Sequence, residues 1–244
     1  MFTESLASGI AGIVIDAVGT LIEPVPSVAE VYAASARRQG VEVGRDELRS
    51  RFHRHFRNDE LDETRGPMVT DEAIEFRRWR RIVSAVIPEL PSPDECFGEL
   101  WEHFARPGSW RCFDDVVPAL QALAVAGIPV RIGSNFDSRL RTVVEGLPEL
   151  SALGGDLLIS SEVGYRKPHP AFFEAVCASL GLAPGRVLCV GDDLENDVRG
   201  AQRSGLSGVL ISRFGKPEED MPHVTDLTSL FALLKARPGG LPRR

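Results

Sequence analysis

Five short apolar runs, IAGIVI at residues 10–15, PVRI at 129–132, DLLI at 156–159, VLCV at 187–190 and GVLI at 208–211, set the tightest limit on how this chain folds. Each is too short for a stable helix and too uniformly apolar for a strand with one wet face, so each reads as a buried strand of a parallel sheet. From about residue 110 onward the runs alternate with helical patterns at 116–126, 171–180 and 196–204, with Pro118 near a helix start and Gly127, Gly181 and Gly205 near helix ends. Alternating strand and helix predicts an α/β fold with a doubly wound, mainly parallel sheet and right-handed crossovers.

The first run does not lead directly to the second. Residues 28–106 intervene with helical periodicity and no comparable strand signal, which predicts a helical insert. Within it a helix over 72–86 spaces Phe76, Trp79, Val83 and Val86 three and four apart, a seam facing inward, and turns Arg77, Arg78 and Arg81 elsewhere, where they can form a solvated face or a cluster that binds phosphate or nucleic acid, the acidic chain favouring the solvated face. His53 and His55, two apart, point to different faces of a helix and do not form a zinc pair. The tail at 236–244 (ARPGGLPRR) reads as frayed, and the chain has no internal repeat.

With 244 residues, 43% apolar and 26% charged, the chain has the make-up of a folded protein with a substantial core. A net charge of −7 and a pI near 5.3 argue against nucleic acid or an anionic membrane as partner. No stretch approaches the length of a membrane span, and the N-terminus lacks the basic and apolar regions of a signal peptide, so the expected compartment is the cytoplasm. Cys96, Cys112, Cys177 and Cys189 form no CxxC pair and read as reduced, structural thiols. Lysine is scarce, with Lys167, Lys216 and Lys235 against 25 arginines, so a lysine inside a motif stands out.

Ligands of such sheets collect beyond the carboxyl ends of the strands, and three polar clusters stand there. Asp16 ends the first run and is followed by Ala17, Val18, Gly19 and Thr20; such a carboxylate can be a nucleophile, a metal ligand or a cap on the next turn. Ser134 and Asn135 follow PVRI, where they can hold a phosphoryl oxygen or start a helix. After VLCV come Asp192, Asp193, Glu195 and Asp197, four acids in six residues, whose repulsion calls for a cation such as Mg²⁺ unless the loop is simply solvated. Between the second and third clusters, Lys167 lies in GYRKPHPAFF, stiffened by Pro168 and Pro170, where its ammonium can neutralise a phosphate.

Taken together, DAVGTL, SN, GYRKPHPAFF and GDDLEND resemble the four motifs of the haloacid dehalogenase-like hydrolase superfamily, in order and over nearly the whole chain. The resemblance implies a Rossmann-like α/β core from residues 1–25 and 108–244 and a helical cap over 26–107. It implies that Asp16 is the nucleophile, that Ser134 and Lys167 hold the transferring group, and that Thr20 and Asn135 face the substrate. Mg²⁺ would be ligated by Asp16, Asp192 and the backbone carbonyl of Val18, with Asp193 or Asp197 as a further ligand or support. The implied substrate is a small phosphorylated metabolite, the implied intermediate an aspartyl-phosphate, and the protein a monomer or homodimer.

One position departs from the pattern. The superfamily's phosphatases carry a second aspartate two residues after the nucleophile, as acid and base, and Val18 stands there instead. General acid–base catalysis is worth about 10² to 10⁴ in rate, and valine cannot supply it. Three readings stay open: a phosphatase whose leaving group needs little protonation or whose acid lies elsewhere, a dehalogenase or phosphonate hydrolase, or a catalytically weak phosphate- and metal-binding protein. Metal-free dehalogenation suits the acid-rich GDDLEND poorly. The Schiff-base lysine expected of a phosphonoacetaldehyde hydrolase cap has no counterpart in 28–106, which contains no lysine.

Overall fold

A computed structural model describes residues 9–60, 68–213, 215 and 223–235 of the chain. The tail at 236–244 and Lys216 lie outside the described residues. The chain opens with strand β1 (Gly12–Ile15) and the short β2 (Ile22–Pro24), then runs through helices α1 (Val28–Arg38), α2 (Arg45–Glu60), α3 (Glu72–Val86) and α4 (Pro93–His103) before β3 (Trp110–Cys112). There follow α5 (Val116–Val125), β4 (Val130–Ser134), α6 (Arg139–Gly146), β5 (Leu157–Ile159), α7 (Ser160–Val163) and α8 (Pro170–Leu180). The last part holds β6 (Val187–Gly191), a π-helical turn (Leu194–Arg199) running into α9 (Gly200–Arg203), β7 (Ser207–Ile211), β8 (His223–Val224) and α10 (Leu227–Lys235).

Six strands form one sheet in the order β5-β4-β1-β6-β7-β8, and every pairing in it is parallel. All five apolar runs are strands of this sheet, as their composition predicts. Their side chains alternate between its faces. Ile13, Ile15, Ile132 and Val190 pack on one side, while Val14, Val187 and Cys189 meet Phe172, Phe173 and Val176 of α8 on the other. Register places the functional end: Ile15 of the inner strand β1 lies opposite Ile132 on one side and Val190 on the other, so the residues that follow all three strands emerge along one edge.

The chain leaves and re-enters this core through an antiparallel ribbon in which Ile22, Glu23 and Pro24 of β2 face Cys112, Arg111 and Trp110 of β3. Between the two strands, α1 to α4 enclose a separate apolar cluster that includes Tyr32, Ala36, Leu48, Ile82, Val83 and Phe97. Ser27 starts α1 through a reciprocal capping box with Glu30, and Asp71 starts α3 by accepting from the Ile74 N–H at 2.7 Å. Two contacts join these helices to the core near Lys167. Val69 bridges Tyr165, flanked by hydrogen bonds from Thr70 N to the Gly164 carbonyl and from Arg166 N to the Met68 carbonyl. Glu72 of α3 accepts from Ser138 N, Ser138 Oγ and Ser161 Oγ.

The helix over 72–86 forms as predicted, but its arginine face is not uniformly solvated. Arg77 and Arg81 are exposed, whereas Arg78 is buried at 4% exposure. Its Nε donates to Asp59 at 2.5 Å and its Nη1 to the fully buried Glu75 at 3.4 Å, and its guanidinium sits 5.2 Å from the Phe56 ring. The inward seam shifts accordingly: Ile82, Val83 and Val86 are buried, while Phe76 leaves 42% of its surface open. His53 is exposed and His55 half-buried, on different sides of α2. All four cysteines are free thiols, and Cys177 and Cys189 are buried among apolar neighbours. No helix among the described residues is long and apolar enough to cross a membrane.

Removing one partner of a buried ion pair strands the other charge, at a cost of about 3 to 5 kcal/mol. Arg78→Ala should therefore lose about that much stability in urea unfolding, while Arg77→Ala on the same helix should change it by less than about 0.5 kcal/mol.

Candidate active site

Asp16 continues β1 by one residue, its N–H donating to the Val190 carbonyl at 2.8 Å, and its buried side chain enters the edge where β1, β4 and β6 end. The chain then turns sharply: the Ala17 carbonyl accepts from the amides of Thr20, Leu21 and Ile22. Gly19 in that turn has φ +85°, a left-handed conformation that side chains disfavour. Arg213, which follows β7, donates to the Thr20 carbonyl and pairs with Asp115, holding the turn from outside. No spacing in the sequence signals this arginine, because its partners lie 98 and 193 residues away.

Lys167 is 2% exposed, and its Nζ reaches three oxygens: Asp16 Oδ1 at 2.7 Å, the Gly133 carbonyl at 2.8 Å and Asp197 Oδ1 at 2.5 Å. Burial alone would drive the ammonium to neutrality, but the carboxylates of Asp16 and Asp197 more than offset it and hold its pKa above the ordinary lysine value. Asn135 fixes the backbone beneath it. Its Nδ2 donates to the Lys167 carbonyl at 2.9 Å and its Oδ1 accepts from Lys167 N at 2.7 Å, so both ends of the amide are engaged in positioning the lysine. Asn135 also lines the cavity beside Ser134. Ser134 is buried and lines the same cavity as Asp16 and Lys167.

The acid-rich segment divides its work. Asp193 caps the π-helical turn by accepting from Glu195 N and Asn196 N, and Asn196 Nδ2 donates to its other oxygen. Asp197 turns back under the strand end, with Oδ1 on Lys167 and Oδ2 accepting from Asp193 N. Asp192 faces the cavity and accepts from Thr20 Oγ1 at 3.4 Å. Carboxylate oxygens of Asp16, Asp192 and Asp197 lie within 4.8 Å of one another, so of the two expected supporting acids it is Asp197 that joins the cluster. Enclosure in the cleft and the like charges of Asp16 and Asp197 push the Asp192 carboxyl well above its ordinary range. Burial pushes Asp197 up as well, against the downward pull of Lys167.

Above this cluster opens a cavity of about 360 Å³ that runs between the sheet edge and α1 to α4. Asp16, Val18, Ser134, Lys167 and Asp192 form its floor. Its upper wall is aromatic, and apart from Trp79 in the helical seam of α3 no sequence pattern announces it, since its rings come from many separate segments. Arg139 also reaches this wall, its guanidinium stacked 3.3 Å from the centroid of Trp101 and paired with Asp137 through two 2.7 Å bonds.

Residues 10–205 match the family model of haloacid dehalogenase-like hydrolases. The chain belongs to this family. Among its relatives, a mouse haloacid dehalogenase-like hydrolase domain-containing protein 3 is 26% identical over 238 residues, covering 91% of this chain and 93% of that protein. A glyceraldehyde 3-phosphate phosphatase of Methanopyrus kandleri is 33% identical over 135 residues, 51% of this chain and 53% of its own. The solved L-2-haloacid dehalogenase of Xanthobacter autotrophicus shares the fold, with a TM-score of 0.73 at 19% identity over 94% of this chain and 100% of its own.

In this haloacid dehalogenase-like hydrolase the acids are admitted by glycine. A Cβ at Gly19 would stand 2.2 Å from Asp192 Oδ2, and one at Gly191 would stand 2.0 Å from Asp197 Oδ2. Gly19→Ala must therefore both strain the turn and displace Asp192, and should lose at least about 1 to 2 kcal/mol of stability. Gly98→Ala, inside α4 with open space around it, should gain about 0.5 to 1 kcal/mol in the same denaturation series.

Proposed function

We propose that this hydrolase cleaves a small phosphorylated metabolite by transferring its phosphoryl group to Asp16 and then to water. The observation that carries the reading is the pairing of Asp16 with Lys167 at 2.7 Å on the floor of a cavity that Asp192 faces. Asp16 supplies the attacking carboxylate oxygen. Lys167 orients that carboxylate through Oδ1 and offers positive charge to the incoming phosphate. Ser134 would contact phosphoryl oxygens, while Thr20, fully buried, would assist through its hydroxyl on Asp192, with Asn135 holding the lysine and Asp197 steadying it from below.

Three carboxylates gathered around one ammonium leave an excess of negative charge, and oxygen donors of this kind fit Mg²⁺. Asp16, Asp192 and the Val18 carbonyl would hold the ion, since both oxygens of Asp197 already serve Lys167 and Asp193 N. Bound there, Mg²⁺ supplies neutralisation of phosphate charge. The helices over 26–107 would act as a cap that closes the cavity above a core of 1–25 and 108–244, in a cytoplasmic monomer or homodimer. Similarity to a phosphatase of Methanopyrus supports the phosphoryl reading over dehalogenation, and so does the gathering of Asp16, Asp192 and Asp197, which suits a bound cation.

Asp16→Asn should reduce phosphate release from any substrate by about 10³ or more, the scale of losing a nucleophile. Asp192→Asn should weaken Mg²⁺ binding by about 10- to 100-fold in calorimetry, and Asp94→Asn on α4 should leave it unchanged. Equal Mg²⁺ affinity in wild type and Asp192→Asn would defeat the metal assignment.

A further inference from the structure

The walls of the cavity say more about the substrate than its floor does. Nine aromatic residues line it, including all three tryptophans of the chain, Trp79, Trp101 and Trp110. From α1 to α4 the lining contains no acid and no lysine, and its polar tips are those of Tyr32, His53, Trp79 and Trp101. Arg139, the arginine of the upper wall, has its charge answered by Asp137 and its face covered by Trp101. A sugar or an amino acid would find few partners there for its hydroxyls or charges and would lose water without replacing it. A flat apolar ring would be enclosed by aromatic side chains.

The second observation is independent of the first. Val18, on the cavity floor, leaves no acid at the position that would protonate a departing alcohol. Phosphoryl transfer places negative charge on the leaving oxygen, and how well it leaves without a proton depends on its own acidity. A phenol, with a pKa of about 10, leaves as its anion far more readily than an alkyl oxygen, whose acidity is close to the 15.7 of water.

Resting on the phosphoryl reading above, we infer that the substrate is a phosphate monoester of an aromatic hydroxyl, its ring held in the aromatic cavity and its phosphate over Asp16. An Asp16 oxygen forms a bond to phosphorus as the bond from phosphorus to the aryl oxygen breaks. That bond's electron pair departs with the aryl oxygen, which takes its proton from water after leaving. Attack of water on the aspartyl-phosphate then releases inorganic phosphate and restores the Asp16 carboxylate, the spare proton passing to solvent. Phe56, stacked on Phe52 at 5.7 Å and next to Trp79 at 5.9 Å, is a specificity residue in this scheme, as is Trp101.

The test compares phenyl, 1-naphthyl and cyclohexyl phosphates as substrates of the full chain with Mg²⁺, and follows tryptophan fluorescence while titrating methyl-, phenyl- and 1-naphthylphosphonate. Because all three tryptophans line the cavity, quenching reads occupancy without turnover. The aryl esters should exceed cyclohexyl phosphate by at least about 10-fold in kcat/KM, the aryl phosphonates should bind more tightly than methylphosphonate, and Val18→Asp should narrow the aryl-to-alkyl ratio. Phe56→Leu and Trp101→Leu should raise KM for 1-naphthyl phosphate with little change in kcat. Two substitutions at separate places guard against one of them failing to fold. If cyclohexyl phosphate is cleaved as well as phenyl phosphate, the inference is overturned and the phosphoryl reading stands. If no phosphate ester is cleaved, the phosphoryl reading falls and the aryl ester with it. Naphthylphosphonate binding no tighter than methylphosphonate would remove the aromatic site itself.

Discussion

The Lys167 ammonium is the interaction on which the rest of the site depends. A buried lysine charge is tolerated only when its donors are answered, and here they reach Asp16 at the end of β1, the Gly133 carbonyl in β4, and Asp197 in the turn after β6. One charged group thus ties together the ends of three adjacent strands. Remove it and Asp16 and Asp197 face each other as like charges in a dry place, which forces a proton onto one of them or water into the edge. The dependence runs both ways, because the lysine is itself held by the Asn135 amide and by the pairing of residues 68–70 with 164–166. Catalytic geometry and the packing of the sheet edge are therefore one structure, with no slack between them.

What could be read in the sequence was whatever is encoded locally. Buried parallel strands need apolar residues on both faces, so the runs through Ile13, Ile132, Leu158, Val190 and Val209 declare themselves, and the helix over 72–86 follows from its period. The ribbon of β2 and β3 and the two-residue β8 were not visible, because strands of two or three residues carry no periodicity and form only where distant chain segments meet. Arg78 shows the same limit on a helix. Its neighbours Arg77 and Arg81 are exposed, whereas Arg78 is turned inward onto Asp59 of another helix and the buried Glu75.

In the site, the residue types were readable and their division of labour was not. Asp193 and Asp197 are both acids after the same strand, yet one caps a helical turn and the other braces a lysine, a difference set by backbone direction over four residues. Asn135 lines the cavity as a substrate contact would, but that its amide also clasps the backbone of Lys167, 32 residues on, was not readable. The aromatic wall was the least visible feature, since it is assembled from α1 to α4, from Phe104 where α4 ends, and from two separate core segments that bring Trp110 and Phe136.

Val18 gains a physical logic from these surroundings. The floor of the cavity already carries Asp16, Asp192 and Asp197 against one ammonium, and a carboxyl at residue 18 would add a fourth acid to that cluster. Such an acid would have to do its work beside aromatic rings that offer it few hydrogen-bond partners. With valine there, the wall stays apolar from the nucleophile to the helices above it. The chemical burden then moves from the protein to the leaving group, and the same apolar wall that removes the acid selects for rings whose oxygen can depart without one.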